Sequence, residues 1–141
     1  MTGVSTGECH NAVRRLRFAK LILPDERRPP IELLHRFLIE GAPFAFPVMI
    51  GQMATGIPTA VSSPAFRGIV ESSNGFVWPH ADGIARGQSV APLFPGAPNL
   101  VGRNTPLYEL LTIVDALRTG STRIRKLAAD LLGDRLSVKV K

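Results

Sequence analysis

The sequence predicts a mainly helical α+β fold, and three observations support that class. Helical apolar periodicity occurs near the start of the chain and again at its end. Between these parts, short apolar pieces alternate with glycine and proline, which argues against long helices in the middle of the chain. Apolar residues make up 45% of the 141 residues, enough for the core of a single domain.

The first predicted element is a helix over residues 6–20. Ser5 and Glu8 form the S-x-x-E pattern of a capping box, in which each side chain satisfies an amide at the start of the helix. Helical spacing places five residues on one face, which we expect to pack on a core: Cys9, Ala12, Val13, Leu16 and Ala19. Cys9 is therefore expected to be a small core residue rather than a reactive thiol.

The opposite face of this helix is polar and cationic. It carries Thr6, His10, Asn11, Arg14 and Arg17. Acidic residues are absent from positions 9–24, so no close neighbour in the sequence neutralises these arginines. The face therefore has two interpretations, a surface that binds an anionic partner or a basic surface that only faces water.

The segments that follow are shorter. "LIL" at 21–23 predicts the start of a strand that Pro24 ends, and a second helix is predicted over residues 31–40. In the middle of the chain, "PFAFPVMI", "FRGIV", "GFVWPH" and "QSVAPLF" are predicted as short strands or extended loops. Their pairing does not follow from the sequence.

The end of the chain predicts an αα-hairpin, followed by the basic tail "RLSVKVK". Thr105 should cap a helix that Gly120 ends, and Ser121 should cap a second helix that Gly133 ends. The wide apolar arc of residues 107–117 is expected to be either core or the interface of a dimer.

The charge of the chain suits an anionic partner such as nucleic acid. The net charge is +6 and the pI is about 10.4. Residues 1–36 hold seven basic and four acidic residues, residues 37–105 hold three of each, and residues 106–141 again hold seven and four. The two ends are therefore basic and the middle is neutral.

Cys9 is the only cysteine, which excludes an intrachain disulfide and favours a reducing, cytoplasmic location. The apolar stretches are too short for a membrane span, and the start of the chain has no apolar signal region. We expect no membrane association, no metal site and no cofactor.

Residues 5–23 resemble the recognition helix and first wing strand of winged helix-turn-helix transcription regulators of the MarR-like kind. The shared pattern is a serine at the start of the helix, an apolar residue four positions later, "AVRRL" at 12–16 and "AKLIL" at 19–23. "PDERRPP" at 24–30 would then form a short wing. The sequence departs from the family because the two helices that precede the recognition helix are absent, so the helix must pack on the rest of the chain or on a second copy.

The resemblance implies a non-enzymatic, sequence-specific transcriptional regulator that binds double-stranded DNA as a homodimer. Residues 5–20 would be the recognition helix, with base readers near its start and arginines further along. The implied DNA-binding residues are Thr6, His10, Asn11, Arg14, Arg15 and Arg17 on the helix, with Arg27 and Arg28 on the wing.

This interpretation divides the chain into three segments. Residues 1–41 form a partial winged-helix-like segment, residues 42–104 an irregular region with short strands, and residues 105–141 the helical hairpin with its basic tail. The alternative function is a protein-interaction partner, such as an antitoxin or accessory subunit, whose neutral middle region binds another protein.

An enzyme is not expected. His80 and Asp82 in "WPHAD" are too few for a metal site and would serve a small hydrolase only as an isolated acid–base pair. The stretch "GIPTAVSSP" at 56–64 is similar in composition to a binding loop, but it lacks the ending of a phosphate-binding loop and a G-x-S-x-G elbow around Ser62 or Ser63.

Overall fold

The computed structural model describes residues 4–71 and 75–137. Within those ranges, helices at both ends of the chain enclose a small sheet, which confirms the α+β class. The helices are α1 (Thr6–Phe18), α2 (Ile31–Glu40), α3 (Ala42–Ala45), α4 (Thr105–Thr119) and α5 (Thr122–Leu136). The strands are β1 (Met53–Pro58), β2 (Phe76–Pro79) and β3 (Ala85–Ser89). None of the described helices is both long and apolar enough to cross a membrane.

The three strands pair with one another in a closed ring. β1 is antiparallel to β2 and to β3, whereas β2 and β3 are parallel. Gly56 lies where β1 passes from one partner to the other, opposite both Pro79 and Ala85. A Cβ atom at Gly56 would lie 2.0 Å from the carbonyl oxygen of Trp78, so only glycine fits at this crossing.

Several predicted helix boundaries are confirmed by their caps. The Ser5 hydroxyl accepts a hydrogen bond from the Glu8 amide at 3.1 Å, and the Glu8 carboxylate accepts one from the Ser5 amide at 3.4 Å. The predicted bounds of α2 match the observed helix, and α4 and α5 form the predicted hairpin. The Ser121 hydroxyl caps α5 by accepting from the Ile124 amide.

Two boundaries of the hairpin differ from the prediction. The cap of α4 is Asn104 rather than Thr105, because the Asn104 side-chain oxygen accepts from the Leu107 amide at 3.2 Å. Gly133 does not end α5, which continues to Leu136 before Ser137 takes a left-handed conformation. Gly133 is buried against His35 of α2, so its small size serves close packing there. Of the predicted tail, residues 138–141 lie outside the described residues.

The predicted strand at 21–23 is wrong. Lys20 adopts a left-handed conformation with φ 62°, and the amides of Leu21 and Ile22 donate back to the Leu16 carbonyl oxygen. The chain therefore closes the end of α1 instead of extending from it. Residues 24–30 form turns and bends, so the predicted wing has no strand.

The predictions for the middle pieces are confirmed only in part. "GFVWPH" contains β2, and "QSVAPLF" overlaps the end of β3. "PFAFPVMI" begins in the short helix α3, and "FRGIV" begins with the last residue of a 3-10 turn over Pro64–Phe66. Proline at the first turn of both α3 and this 3-10 turn favours helical geometry there.

Helix α4 lies between the two apolar clusters of the core. Ile113 and Leu117 pack with Phe66 and with Leu132 of α5, whereas Tyr108 packs with Trp78 of β2. The apolar arc of residues 107–117 is thus core, and it is not an open face for dimerisation.

A buried carboxylate, Asp115, connects α4 to its surroundings. Its Oδ2 accepts hydrogen bonds from the Thr59 hydroxyl at 2.6 Å and the Trp78 indole at 2.7 Å, and its Oδ1 accepts from Arg118 at 2.7 Å. Arg118 also donates to the carbonyl oxygen of Phe46. Burial raises the pKa of Asp115 above its usual range, although the bonds from Thr59 and Trp78 and the Arg118 charge act against that rise.

Tyr108 provides a direct test of this interior, because it is the only tyrosine in the chain. Its hydroxyl donates to the Pro58 carbonyl oxygen, and burial, with the charge of Glu109, raises its pKa from 10.0 to about 12. We expect the tyrosinate absorbance to appear only near pH 12 in the folded protein and near pH 10 in denaturant.

The raised pKa of Tyr108 also determines how the stability of the fold changes with pH. The contribution of the protonated phenol is fully present below about pH 10 and is lost as the pH rises through about 12. A spectrophotometric titration with Trp78 fluorescence as the monitor of folding checks both points. A midpoint near 10 in a chain that is still folded would contradict the burial of the Tyr108 phenol.

Candidate nucleic-acid interface

Helix α1 is the most exposed of the long helices, and none of its 13 residues is buried. The predicted burial of its apolar face is therefore wrong: Cys9 is exposed, and Val13 and Leu16 are only half-buried. A cavity of about 490 Å³ lies between this helix and residues 94–96, and Glu8, Asn11, Ala12 and Arg15 line it on the helix side. Ile22, just after α1, is 2% exposed and anchors this end of the helix to the core.

The polar face of α1 is free of ion pairs within the described residues. The two ion pairs of the described residues join Arg118 to Asp115 and Arg135 to Glu109, and neither involves a residue of α1. On α1, Thr6, His10, Asn11, Arg14 and Arg15 are all exposed. The only acidic side chain of the helix, Glu8, takes part in the capping box. The face is therefore a cationic surface without internal neutralisation.

Phe18 adds an apolar group to this surface and was not among the residues predicted from the sequence. It is 92% exposed and, with Asn11, Arg14 and Arg15, lines a shallow depression of about 600 Å³. The sequence did contain a signal for this contact. Phe18 follows Arg15 by three residues and Arg14 by four, and residues at these spacings lie side by side on a helix. The depression combines guanidinium, amide and aromatic groups.

Arg17 differs from the other arginines of α1 because it is partly used within the chain. It is half-buried, and its Nη2 donates to the Glu26 carbonyl oxygen at 2.9 Å. Its buried Nε has no hydrogen-bond partner among the described residues. The bond to Glu26 holds the neighbouring Arg27 and Arg28, both exposed, beside the last turn of α1. Arg17 thus positions the loop rather than presenting a fully free charge.

The structure brings most of the sequence-predicted site residues together. Thr6, His10, Asn11, Arg14 and Arg15 are exposed on one helix, and Asn11, Arg14 and Arg15 line the same depression with Phe18. Arg27 and Arg28 lie on the adjacent loop, without the wing strand expected to carry them. Because the cationic turns of α1 face solvent, the surface can bind an anion such as phosphate.

The hydrolase constellation considered from the sequence does not form. The Nδ1 of His80 accepts from the backbone amide of Asp82 at 3.1 Å, so the ring stabilises a turn instead of pairing with the carboxylate. The Ser62 hydroxyl accepts from the Phe76 amide, and the Ser63 hydroxyl contacts no base. In the described ranges, no group of three or more His, Cys, Asp or Glu side chains is arranged to hold a metal ion.

The resemblance to MarR-like regulators is a prediction from the residue pattern of 5–23, of which the structure contains the capped helix but not the strand at 21–23. In comparisons with known proteins, the chain matches no protein family, no curated protein and no solved structure.

Proposed function

We propose that the chain is a DNA-binding transcriptional regulator and that α1 is the helix that contacts double-stranded DNA. The observation that carries the proposal is the exposed face of α1, where Arg14 and Arg15 have no ion-pair partner among the described residues. A single α-helix fits the major groove of B-DNA, which is about 12 Å wide.

The order of residues along α1 suits this role. Thr6, His10 and Asn11 lie towards the start of the helix and carry groups that form hydrogen bonds with base edges. Arg14 and Arg15 follow one turn later and suit phosphates or guanine. Arg27 and Arg28, held beside the helix by the bond from Arg17 to Glu26, would contact the DNA backbone.

The proposal includes a cytoplasmic homodimer. Operator readers usually bind two half-sites, and a second copy would cover the half-exposed apolar residues of α1. Dimerisation would also supply the packing that a 13-residue helix with no buried residue lacks.

The test is an anisotropy titration of mixed-sequence duplex DNA at two salt concentrations. We expect the wild type to bind and to lose affinity steeply as salt rises. Arg14→Ala/Arg15→Ala should weaken binding about tenfold or more, and the salt slope should become shallower by about 0.9 for each phosphate that the variant no longer neutralises. The matched control is Arg123→Ala/Arg125→Ala, which removes the same charge from exposed positions on α5 and should retain most of the affinity.

The outcome decides the role of α1. Equal loss of affinity in the two double variants would show a diffuse charge effect and no specific role for this helix. Absence of wild-type binding at both salt concentrations would reject the proposal. If binding is confirmed, Asn11→Ala should reduce discrimination between operator sequences by about 1–3 kcal/mol, with little change in the salt slope.

A second candidate function, interaction with another protein, is favoured by a different surface. Exposed apolar side chains follow one another in the sequence from α3 towards β1: Phe44 in α3 is 82% exposed, and Met49 after it is 92% exposed. Exposed apolar patches are typical of protein-binding sites. Failure of the wild type to bind DNA in the titration would make this candidate the favoured function.

A further inference from the structure

Four residues of α1 form one narrow stripe along the exposed helix. They are related as i, i+3, i+4 and i+7, so their side chains lie next to one another on the same face. The stripe consists of Asn11, Arg14, Arg15 and Phe18. All four line the shallow depression of about 600 Å³ described above, so the stripe is a concave surface rather than a row of separate side chains.

Phe18 is the apolar member of the stripe and the last residue of α1. Its side chain is 92% exposed. The one ring pair of the described residues joins Trp78 to Tyr108, so no described aromatic ring packs on Phe18. Covering a bare aromatic ring removes apolar surface from water, and flat π systems suit one another as partners. The position therefore favours a partner with a flat aromatic face.

The rest of the stripe adds charge and hydrogen-bonding groups to this ring. Arg14 and Arg15 are exposed, and neither takes part in an ion pair of the described residues. Asn11 is also exposed and has both donors and an acceptor in its side-chain amide. An aromatic ring beside free guanidinium groups matches a nucleotide, because a base stacks on the ring and the phosphates pair with the arginines.

The base that stacks on Phe18 has to be unpaired. In a double helix both faces of a base are covered by its neighbours, and they become accessible only when the base leaves the stack. The shape of the site also argues against a wedge inserted between paired bases. Such a side chain has to protrude, whereas Phe18 forms one wall of a depression.

We propose that the stripe binds a base of DNA that has left the double helix, with the base stacked on Phe18 and its flanking phosphates on Arg14 and Arg15. The inference rests on the proposed DNA-binding function and adds a preference for duplexes that contain an unpaired base. A second copy that covers Val13 and Leu16 would leave the stripe free, because at about 100° per residue those two residues lie on the opposite side of α1.

The experiment is an anisotropy titration of the whole chain with three duplexes of one sequence. The first is fully paired, the second has one extra unpaired adenine, and the third has an abasic residue in place of that adenine. The second and third share the interruption of the duplex and differ only in the base. We expect the wild type to bind the adenine duplex about tenfold more tightly than the abasic duplex, because one base gains an aromatic stacking partner.

Variants of Phe18 test whether its ring supplies this preference. Phe18→Ala and Phe18→Leu should reduce the ratio of the two affinities to about one, whereas Phe18→Trp should keep it, since only tryptophan offers a ring for stacking. The side chain is 92% exposed, so these substitutions should leave the fold intact. The matched control is Ile84→Ala, which truncates an apolar side chain that is 88% exposed outside α1 and should keep the wild-type ratio.

The outcomes separate this inference from the proposed function. A wild-type ratio near one together with binding of the paired duplex would overturn the inference alone. Retention of the ratio in Phe18→Ala would also overturn it, as would equal weakening of all three duplexes, which would assign Phe18 to a contact between copies. Binding of the adenine duplex alone would support the inference and reject paired DNA as the target. If the wild type binds none of the duplexes, both proposals fail.

Discussion

Replacing Asp115 with alanine should lower the free energy of unfolding by about 3–5 kcal/mol. The substitution leaves the Arg118 guanidinium, whose side chain is 5% exposed, without its counter-ion. It also removes the acceptor of the Thr59 hydroxyl and the Trp78 indole, both fully enclosed. A buried donor without a partner destabilises the fold by about 1–3 kcal/mol, so these losses act in the same direction.

Denaturant unfolding followed by the fluorescence of Trp78, the only tryptophan, measures the effect. The indole that reports unfolding is the one bonded to Asp115, so the folded-state emission should shift as well. Asp130→Ala on α5 removes the same charge from an exposed position and should change stability by less than about 0.5 kcal/mol. If Asp115→Ala lowers the free energy of unfolding by less than about 1 kcal/mol, the hydrogen bonds of Asp115 are not a main support of the fold.

Gly56→Ala should destabilise the fold by about 3 kcal/mol or more, because the added methyl group has no space. The new Cβ would lie 2.0 Å from the carbonyl oxygen of Trp78, and β1 would have to separate from β2 at their crossing. That separation would weaken the ring and the packing of the Trp78 side chain beneath it. Thermal unfolding by circular dichroism measures the change.

Gly7→Ala is the matched control for this substitution. It adds the same methyl group in the first turn of α1, where nothing lies within 4 Å. Alanine favours helix over glycine, so stability should stay the same or rise by up to about 1 kcal/mol. If the free energy of unfolding of Gly56→Ala is within about 0.5 kcal/mol of the wild-type value, β1 and β2 can move apart without loss of stability.

The sequence predicted the elements whose signals are local. The capping box of Ser5 and Glu8 and the cap of α5 at Ser121 each involve residues three positions apart, so the pattern contains the whole interaction. The buried face of α4 was also predictable, because its apolar arc covers most of the helix. Asp115 on that arc, with Arg118 three residues later, was an available signal of a buried ion pair.

The predictions that were wrong concern contacts between residues that are far apart in the sequence. Periodicity identified the apolar face of α1, but it contains no information on whether another element covers that face, and Cys9 is exposed. The predicted strand at 21–23 found no neighbour with which to pair. Arg67 and Arg86 line the same cavity of about 640 Å³, and the pairing of β3 with β1 that places Arg86 there is not encoded by short strands separated by turns.

The closed arrangement of the strands has a consequence for self-association. Among the strands that the structure describes, each pairs with both of the others, so the ring has no free lateral edge. An open edge offers unpaired amides and carbonyls to an extended segment of another molecule, which is a common route to aggregation. Contacts between copies would therefore have to use side-chain surfaces, such as Phe18 or Phe44, rather than a shared backbone ladder.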